Sequence, residues 1–237
     1  MQPKRIILVR HGESEANVDP VVYSRVPDHL IHLTEAGRGQ AREAGRKVAA
    51  LVGEEAFGVY ASPYLRTLET KDSLLEGMGR QPVFDYQDPS LREQEYGNMP
   101  TPEASAANRE LREKCGNFFY RFPEGESCAD VYDRMCSFFE SLFRQFERPD
   151  SPENIVIVSH GTAIKCFLMR WFHWSVTKFE SLGQLPNCQV TAIKRGNGTM
   201  DWRIFAPLGI GFFEGAENLL SDNFKVTIEG VFDGFNF

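Results

Sequence analysis

Two short runs constrain the fold more than anything else in the chain. Residues 5–9 (Arg-Ile-Ile-Leu-Val) and 154–158 (Asn-Ile-Val-Ile-Val) are β-branched and apolar without alternation, the pattern of a strand buried on both faces. Such burial requires a sheet covered by helices on each side, and the rest of the chain supplies them. A polar loop of about twenty residues follows the first run. Thr34 then reads as an N-cap, with Glu35 in the first turn of a helix to about Leu51. Residues 57–61 read as a second strand, Ser62-Pro63 as the cap and N1 proline of a helix to about Glu76, and 82–86 as a short third strand. Ser127 and Asp130 resemble a capping box for a helix to about Phe146, and 162–172 predicts a mostly apolar helix. Residues 189–195 and 200–205, around Gly196-Asn197-Gly198, predict a hairpin. The expected class is α/β: a three-layer sandwich with a mostly parallel central sheet. Residues 88–123, rich in proline and glycine with one helix expected at 102–114, read as an insertion over the carboxyl ends of the strands.

A chain of 237 residues suits one domain with one sizeable core. Residues 206–237 form an aromatic, acidic tail for which no element is assigned. Apolar runs such as 6–9 and 155–158 span four residues, against the roughly 20 of a membrane-spanning helix. The net charge of −7 disfavours a general nucleic-acid binder, which needs a basic face. Five cysteines without a CxxC pair argue against a disulfide framework or a zinc ribbon. The expectation is a cytoplasmic protein with no membrane and no nucleic-acid partner.

Four segments lie directly after expected strands or within the insertion. They are Arg10-His11-Gly12-Glu13-Ser14, Ser62-Pro63-Tyr64-Leu65-Arg66-Thr67, Leu91-Arg92-Glu93-Gln94-Glu95-Tyr96-Gly97 and Ser159-His160-Gly161. Each alone has a bland reading: a lone histidine after a strand is usually structural, and Arg66 in a first helical turn is usually a solvated charge at odds with the helix dipole. Together they say more. Two buried strands each run into a His-Gly pair, at the end of the sheet where ligands of such folds bind. A glycine after each histidine would let backbone amides approach an anion. Arg10 and Arg66 supply planar forks that match phosphate oxygens. Nucleophile, anion clamp and acid together describe phosphoryl transfer through a phosphohistidine.

Arg10-His11-Gly12-Glu13, with Arg66 and His160 downstream, resembles the histidine phosphatase superfamily, in its phosphoglycerate mutase-like branch. Residues 33–41, 91–97 and 123–127 resemble further segments of that family, in its order, so the likeness spans about 5–195. The resemblance implies that His11 is the phosphorylated nucleophile. It also implies that Arg10, Arg66 and His160 surround the phosphoryl group and that Glu93, ahead of Glu95, is the general acid. His11 must be neutral to attack, with its other ring nitrogen expected to be fixed by backbone, and the nearby cations oppose its protonation. Burial would raise the Glu93 pKa for its role, with Arg92 opposing. Ser14, Asn17 and Thr162 are candidate substrate contacts. No metal and no cofactor are implied: His11, His29, His32, His160 and His173 show no ligand spacing, and the arginines supply the charge. His29 and His32 read as surface loop residues, His173 as a packing residue, and the cysteines as buried or inert thiols.

The expected activity is that of a phosphomonoesterase acting on a phosphorylated small molecule or phosphopeptide. A phosphoglycerate-type mutase is the alternative. The resemblance gives such mutases an adjacent arginine pair in the insertion and asparagine after the second His-Gly. Here Arg109, Arg112, Lys114 and Arg121 are scattered, and Thr162 takes the asparagine position. A binding or scaffold protein with negligible turnover is a third reading, with the tail as a docking segment or a homodimer contact.

Overall fold

A computed structural model of the chain describes residues 3–98, 101–195 and 202–204. Among these, β1 (Arg5–Arg10) leads into a short helix α1 (Glu15–Val18), two 3₁₀ turns (Pro20–Ser24 and Asp28–Leu30) and α2 (Glu35–Val52). Then come β2 (Phe57–Ala61), α3 (Leu65–Met78), β3 (Asp85–Gln87), a 3₁₀ turn (Pro89–Leu91) and α4 (Pro102–Cys115). The chain continues through α5 (Cys128–Glu147), β4 (Asn154–Ser159), α6 (Gly161–Trp171), α7 (Val176–Glu180), β5 (Val190–Arg195) and β6 (Trp202–Ile204). The strands form one sheet in the order β3-β2-β4-β1-β5-β6. β3, β2, β4 and β1 run parallel, while β5 is antiparallel to both β1 and β6. The expected hairpin is therefore present as β5 and β6; its turn and the tail from Ala206 lie outside the described residues.

Alternation along the two central strands feeds two cores. Ile6, Leu8, Ile155 and Ile157 face α5 and α6, where they meet Phe138 and Phe167. Ile7, Val9, Val156 and Val158 face α2 and α3, against Ala44, Val48 and Leu74. Every strand residue that reads as a continuous apolar run thus buries its side chain against one helical layer or the other. Thr34 caps α2 by accepting from Gly37 N at 3.0 Å. Ser127 and Asp130 cap α5 reciprocally: Asp130 N donates to Ser127 Oγ at 3.2 Å, and Ser127 N to the Asp130 carboxylate at 2.7 Å. The insertion helix α4 lies against the Pro20–Ser24 turn, at the carboxyl end of β1.

Three local expectations are corrected. α3 starts at Leu65 rather than at Ser62-Pro63, because Ser62 N still donates to Val158 O at 3.0 Å and keeps the chain in the sheet. The third strand is Asp85–Gln87 rather than 82–86, an exposed edge that pairs with Val59–Ala61. The loop after β1 is largely organised: Asp19 accepts from Val21 N at 3.0 Å and opens the first 3₁₀ turn.

The α2 layer approaches the β1 loop through glycine. A Cβ on Gly37 would stand 2.1 Å from the Glu13 carbonyl oxygen, and one on Gly12 would stand 2.5 Å from that of Gly37. Gly39, two residues along the same helix, has nothing within 4 Å of that position. Gly37→Ala is expected to destabilise the protein by about 3 kcal/mol through overpacking. Gly39→Ala should instead stabilise it by up to about 1 kcal/mol, as alanine does in a helix interior. Urea unfolding of the matched pair checks this; equal effects would show that the Gly12–Gly37 contact is not tight.

Candidate active site

The β1–β4 pairing ends with Arg10 opposite Ser159, so the next residues, His11 and His160, leave the sheet side by side. His11 N donates to Ser159 O at 2.9 Å, extending the ladder one residue further. The two rings lie 5.2 Å apart between centroids, inclined at 61°. His11 is buried, with its Nδ1 at 2.7 Å from the Gly12 carbonyl oxygen. A carbonyl only accepts, so Nδ1 carries the proton and Nε2 keeps a free lone pair. Burial, then Arg66 and Arg10, holds the His11 pKa well below 6.5. His160 is fully buried; its Nε2 pairs with Ser62 Oγ at 2.8 Å and its Nδ1 has no protein partner. Burial, followed by Arg66 and His11, likewise keeps His160 neutral.

Both arginines are built in rather than solvated. Arg10 donates to the Leu185 carbonyl, and its Nε is buried without a protein partner. Arg66 is 2% exposed, on the first turn of α3, and its guanidinium lies 5.0 Å from the Tyr64 ring centroid. Its NH1 donates to the backbone oxygen and to the carboxylate of Asp28, each at 2.7 Å. Burial works against the Arg66 charge, but Asp28 outweighs it and the pKa is raised.

Glu93 is buried while Glu95 is exposed, which separates the two candidate acids. The Glu93 carboxylate accepts from three backbone N–H groups: Gln94 at 2.9 Å, Thr162 at 3.2 Å and Ala163 at 3.3 Å. The last two belong to the first turn of α6, so the acid is held at the helix end that follows His160. Arg92 turns away from it, to Glu126 at 2.8 Å. A Cβ on Gly161 would sit 3.7 Å from Arg10 Nε and 3.8 Å from Glu93 Oε2, in ordinary contact. Gly161 therefore keeps open the space between a cation and the acid. Gly12 is different: its N–H donates to Thr70 Oγ1 at 3.0 Å and its missing side chain makes room for Gly37. The reading that it admits an anion to the backbone is corrected to packing.

Of the three candidate substrate contacts, Ser14 is buried and its hydroxyl donates to Asn17 Oδ1 at 3.1 Å, so it orients Asn17. Asn17 is exposed, and its Oδ1 also accepts from Asn187 Nδ2 at 3.0 Å. Thr162 holds Glu93 through its backbone and hydrogen-bonds Tyr96 through its side chain. His29 and His32 are exposed loop residues as expected, His32 paired with Glu69 at 2.8 Å. His173 is exposed with φ of 52°, not a packing residue. Cys128 and Cys166 are buried, whereas Cys115 is exposed.

Several site residues carry no sequence signal. Asn187 Nδ2 and Cys188 N both donate to the His11 carbonyl at 3.2 Å, on a loop where Cys188 has φ of 53°. Arg134, on α5, donates to Glu93 O at 2.9 Å, Ser90 O at 2.6 Å and Glu126 at 3.0 Å, and so anchors the acid-bearing loop. Asp28 and Ser62 join the list through Arg66 and His160. A separate acidic cleft between α3 and β3, lined by Asp72, Glu76 and Asp85, is unsuited to an anion.

The geometry agrees with comparisons to known proteins. Residues 6–206 match the histidine phosphatase superfamily (branch 1), and the chain belongs to that family. It is a phosphatase-type enzyme by class. It is 45% identical over 212 residues to the phosphoglycerate mutase-like protein AT74H of Arabidopsis thaliana, covering 83% of this chain and 75% of the relative. It is 28% identical to the broad-range acid phosphatase DET1 of Saccharomyces cerevisiae, over 81% of this chain and 86% of that one. A mycobacterial glucosyl-3-phosphoglycerate phosphatase solved with VO3 superposes with a TM-score of 0.64 at 25% identity, covering 85% of this chain and 96% of the other.

The two neutral histidines make stability depend on pH. In the unfolded chain each protonates near 6.5, but in the folded protein only well below that. Their contribution is complete above 6.5 and is lost as pH falls beneath it, because the unfolded state then binds more protons. Each histidine should add about 1.4 kcal/mol per pH unit to the slope. Urea titrations from pH 6.5 down to about pH 5.5 should show His11→Gln removing roughly half of that loss; an unchanged slope would mean that His11 is not buried in its neutral form.

Proposed function

We propose that the chain hydrolyses phosphate monoesters through a covalent phosphohistidine on His11, as a single catalytic unit without a metal. The observation that carries this reading is the Nδ1 bond of His11 to Gly12 O, which leaves Nε2 unprotonated beside the buried Arg66 and the half-buried Arg10. Nε2 attacks phosphorus as the bond to the leaving oxygen breaks, and protonated Glu93 gives its proton to that oxygen. Water then attacks the phosphohistidine, its proton passes to the Glu93 carboxylate, and His11 departs as the neutral ring. Arg10, Arg66 and His160 stabilise the charge that builds on the phosphoryl oxygens. Asn17 faces the entering phosphoryl group, and Thr162 with Tyr96 steadies the acid.

The substrate class is a phosphorylated small molecule or a phosphopeptide. The names of the relatives support small esters: one is a broad-range acid phosphatase and another acts on glucosyl-3-phosphoglycerate. A cytoplasmic site of action fits five cysteines with no disulfide among the described residues. The mutase reading keeps support in the names of relatives, since AT74H is called phosphoglycerate mutase-like and a 2,3-bisphosphoglycerate-dependent phosphoglycerate mutase of Parvibaculum lavamentivorans is 30% identical over 71% of this chain. Against it stand the scattered basic residues of the insertion and Thr162.

The test is phosphate release in excess chelator. Wild type should turn over para-nitrophenyl phosphate, His11→Ala should not, and an alkaline quench should trap one phosphoryl group on His11. Glu93→Gln should lower kcat/KM, which reports the phosphoryl transfer to His11, by about 10²–10⁴ with an alkyl phosphate, and by much less with para-nitrophenyl phosphate, whose leaving group needs no proton. Isomerisation of 3-phosphoglycerate faster than any phosphate release would establish the mutase instead.

A further inference from the structure

Arg66 is not free to face the phosphoryl group with its whole guanidinium. One residue, Asp28, takes NH1 twice, with its backbone oxygen and with Oδ1, and its Oδ2 lies 3.4 Å from NH2. The Tyr64 ring lies against the guanidinium. The pair is asymmetric: the Arg66 side chain is 3% exposed and that of Asp28 is 27% exposed. Asp28 begins the 3₁₀ turn Asp28–Leu30, in the segment between the β1 histidine and α2. It therefore touches the very cation that the phosphoryl group requires. A carboxylate there opposes any other anion near the same guanidinium. It also relieves the placement of Arg66 at the positive end of α3, a position that disfavours a cation.

We propose that Asp28 is a positioning residue that aims Arg66 and, by its charge, weakens the hold of the site on inorganic phosphate so that product leaves. The inference rests on the phosphatase reading for its biological sense. The groups that face Asp28 are Arg66, Tyr23 and Tyr64; Tyr23 is also within electrostatic reach of Arg10 and Glu93. A cradle with two arginines and two neutral histidines would bind a phosphate dianion strongly. One internal carboxylate removes part of that attraction without removing a donor from the site. The guanidinium keeps its remaining N–H groups for phosphoryl oxygens, in a plane fixed by Tyr64 and Asp28.

Orthophosphate binding by titration calorimetry at fixed ionic strength tests this without relying on turnover. Asp28→Asn keeps an acceptor for NH1 and removes the charge, so phosphate should bind about threefold to tenfold more tightly than to wild type. Asp28→Ala also removes the acceptor and frees the guanidinium to swing. Its kcat on para-nitrophenyl phosphate should fall about tenfold, while its phosphate affinity stays at or above that of wild type. A purely structural ion pair would instead lower the Tm of both variants and leave phosphate affinity within twofold, which overturns the proposal. Weaker binding by Asp28→Asn, or no phosphate binding by any form, overturns it as well. Wild type that binds phosphate yet hydrolyses no ester would refute the phosphatase reading, while the comparison with Asp28→Asn would still decide the role of Asp28.

Discussion

The parallel pairing of β1 with β4 is the constraint on which the site depends. Its register sets Arg10 opposite Ser159, and one further backbone bond from His11 N carries the alignment beyond the sheet. A shift of one residue would exchange the two faces of the strand and put Ile6 and Leu8 against α2 and α3, which pack Ile7 and Val9. Because both faces are buried, the register is locked from two sides. Two histidines separated by almost 150 positions in sequence are thereby delivered as a pair with ring centroids 5.2 Å apart.

Burial then does the chemical tuning. A histidine in water is partly protonated near neutrality, and a protonated ring cannot attack phosphorus. Burial, reinforced by the two arginines, keeps His11 neutral, and the Gly12 carbonyl decides which nitrogen is left free. The arginines would be costly in such a place without partners. Arg66 is relieved by Asp28, whereas Arg10 is held by a backbone carbonyl and retains a buried, unpartnered Nε. The site is thus an incompletely satisfied polar cluster, a condition expected where a ligand supplies the missing acceptors.

Glu93 is held by hydrogen bonds that reach across the fold. Arg134 on α5 binds the backbone at Ser90 and Glu93, and Glu126 bridges Arg134, Arg92 and Glu95 N. This fastens an irregular segment, which has no ladder of its own, to a helix that is anchored in the Phe138 core. The first turn of α6 then grips the carboxylate from the other side. A loop residue gains in this way a fixed geometry, which the proposed proton transfer requires.

The sheet, the helical layers and the two His-Gly ends were legible from the sequence alone, because apolar runs, caps and strand-end motifs are local patterns with local causes; Arg66 stood out as a candidate only in combination with them, and Glu93 only through the family resemblance. Thr34 and Ser127 cap their helices where the side-chain chemistry says they should. The start of α3 was not legible, since Ser62 is retained by a hydrogen bond to a strand nearly a hundred residues away. The role of Gly12 was misread for the same reason: its neighbour Gly37 belongs to another element. Asp28, Asn187 and Arg134 are ordinary polar residues in their own surroundings, and only the packing of distant segments makes them partners of Arg66, His11 and Glu93. Residue type and short-range spacing determined which groups can do the chemistry. Tertiary structure decided which nitrogen of His11 is free, which carboxylate is buried and which charge opposes the anion, because hydrogen-bond direction and desolvation depend on every segment that closes around a group.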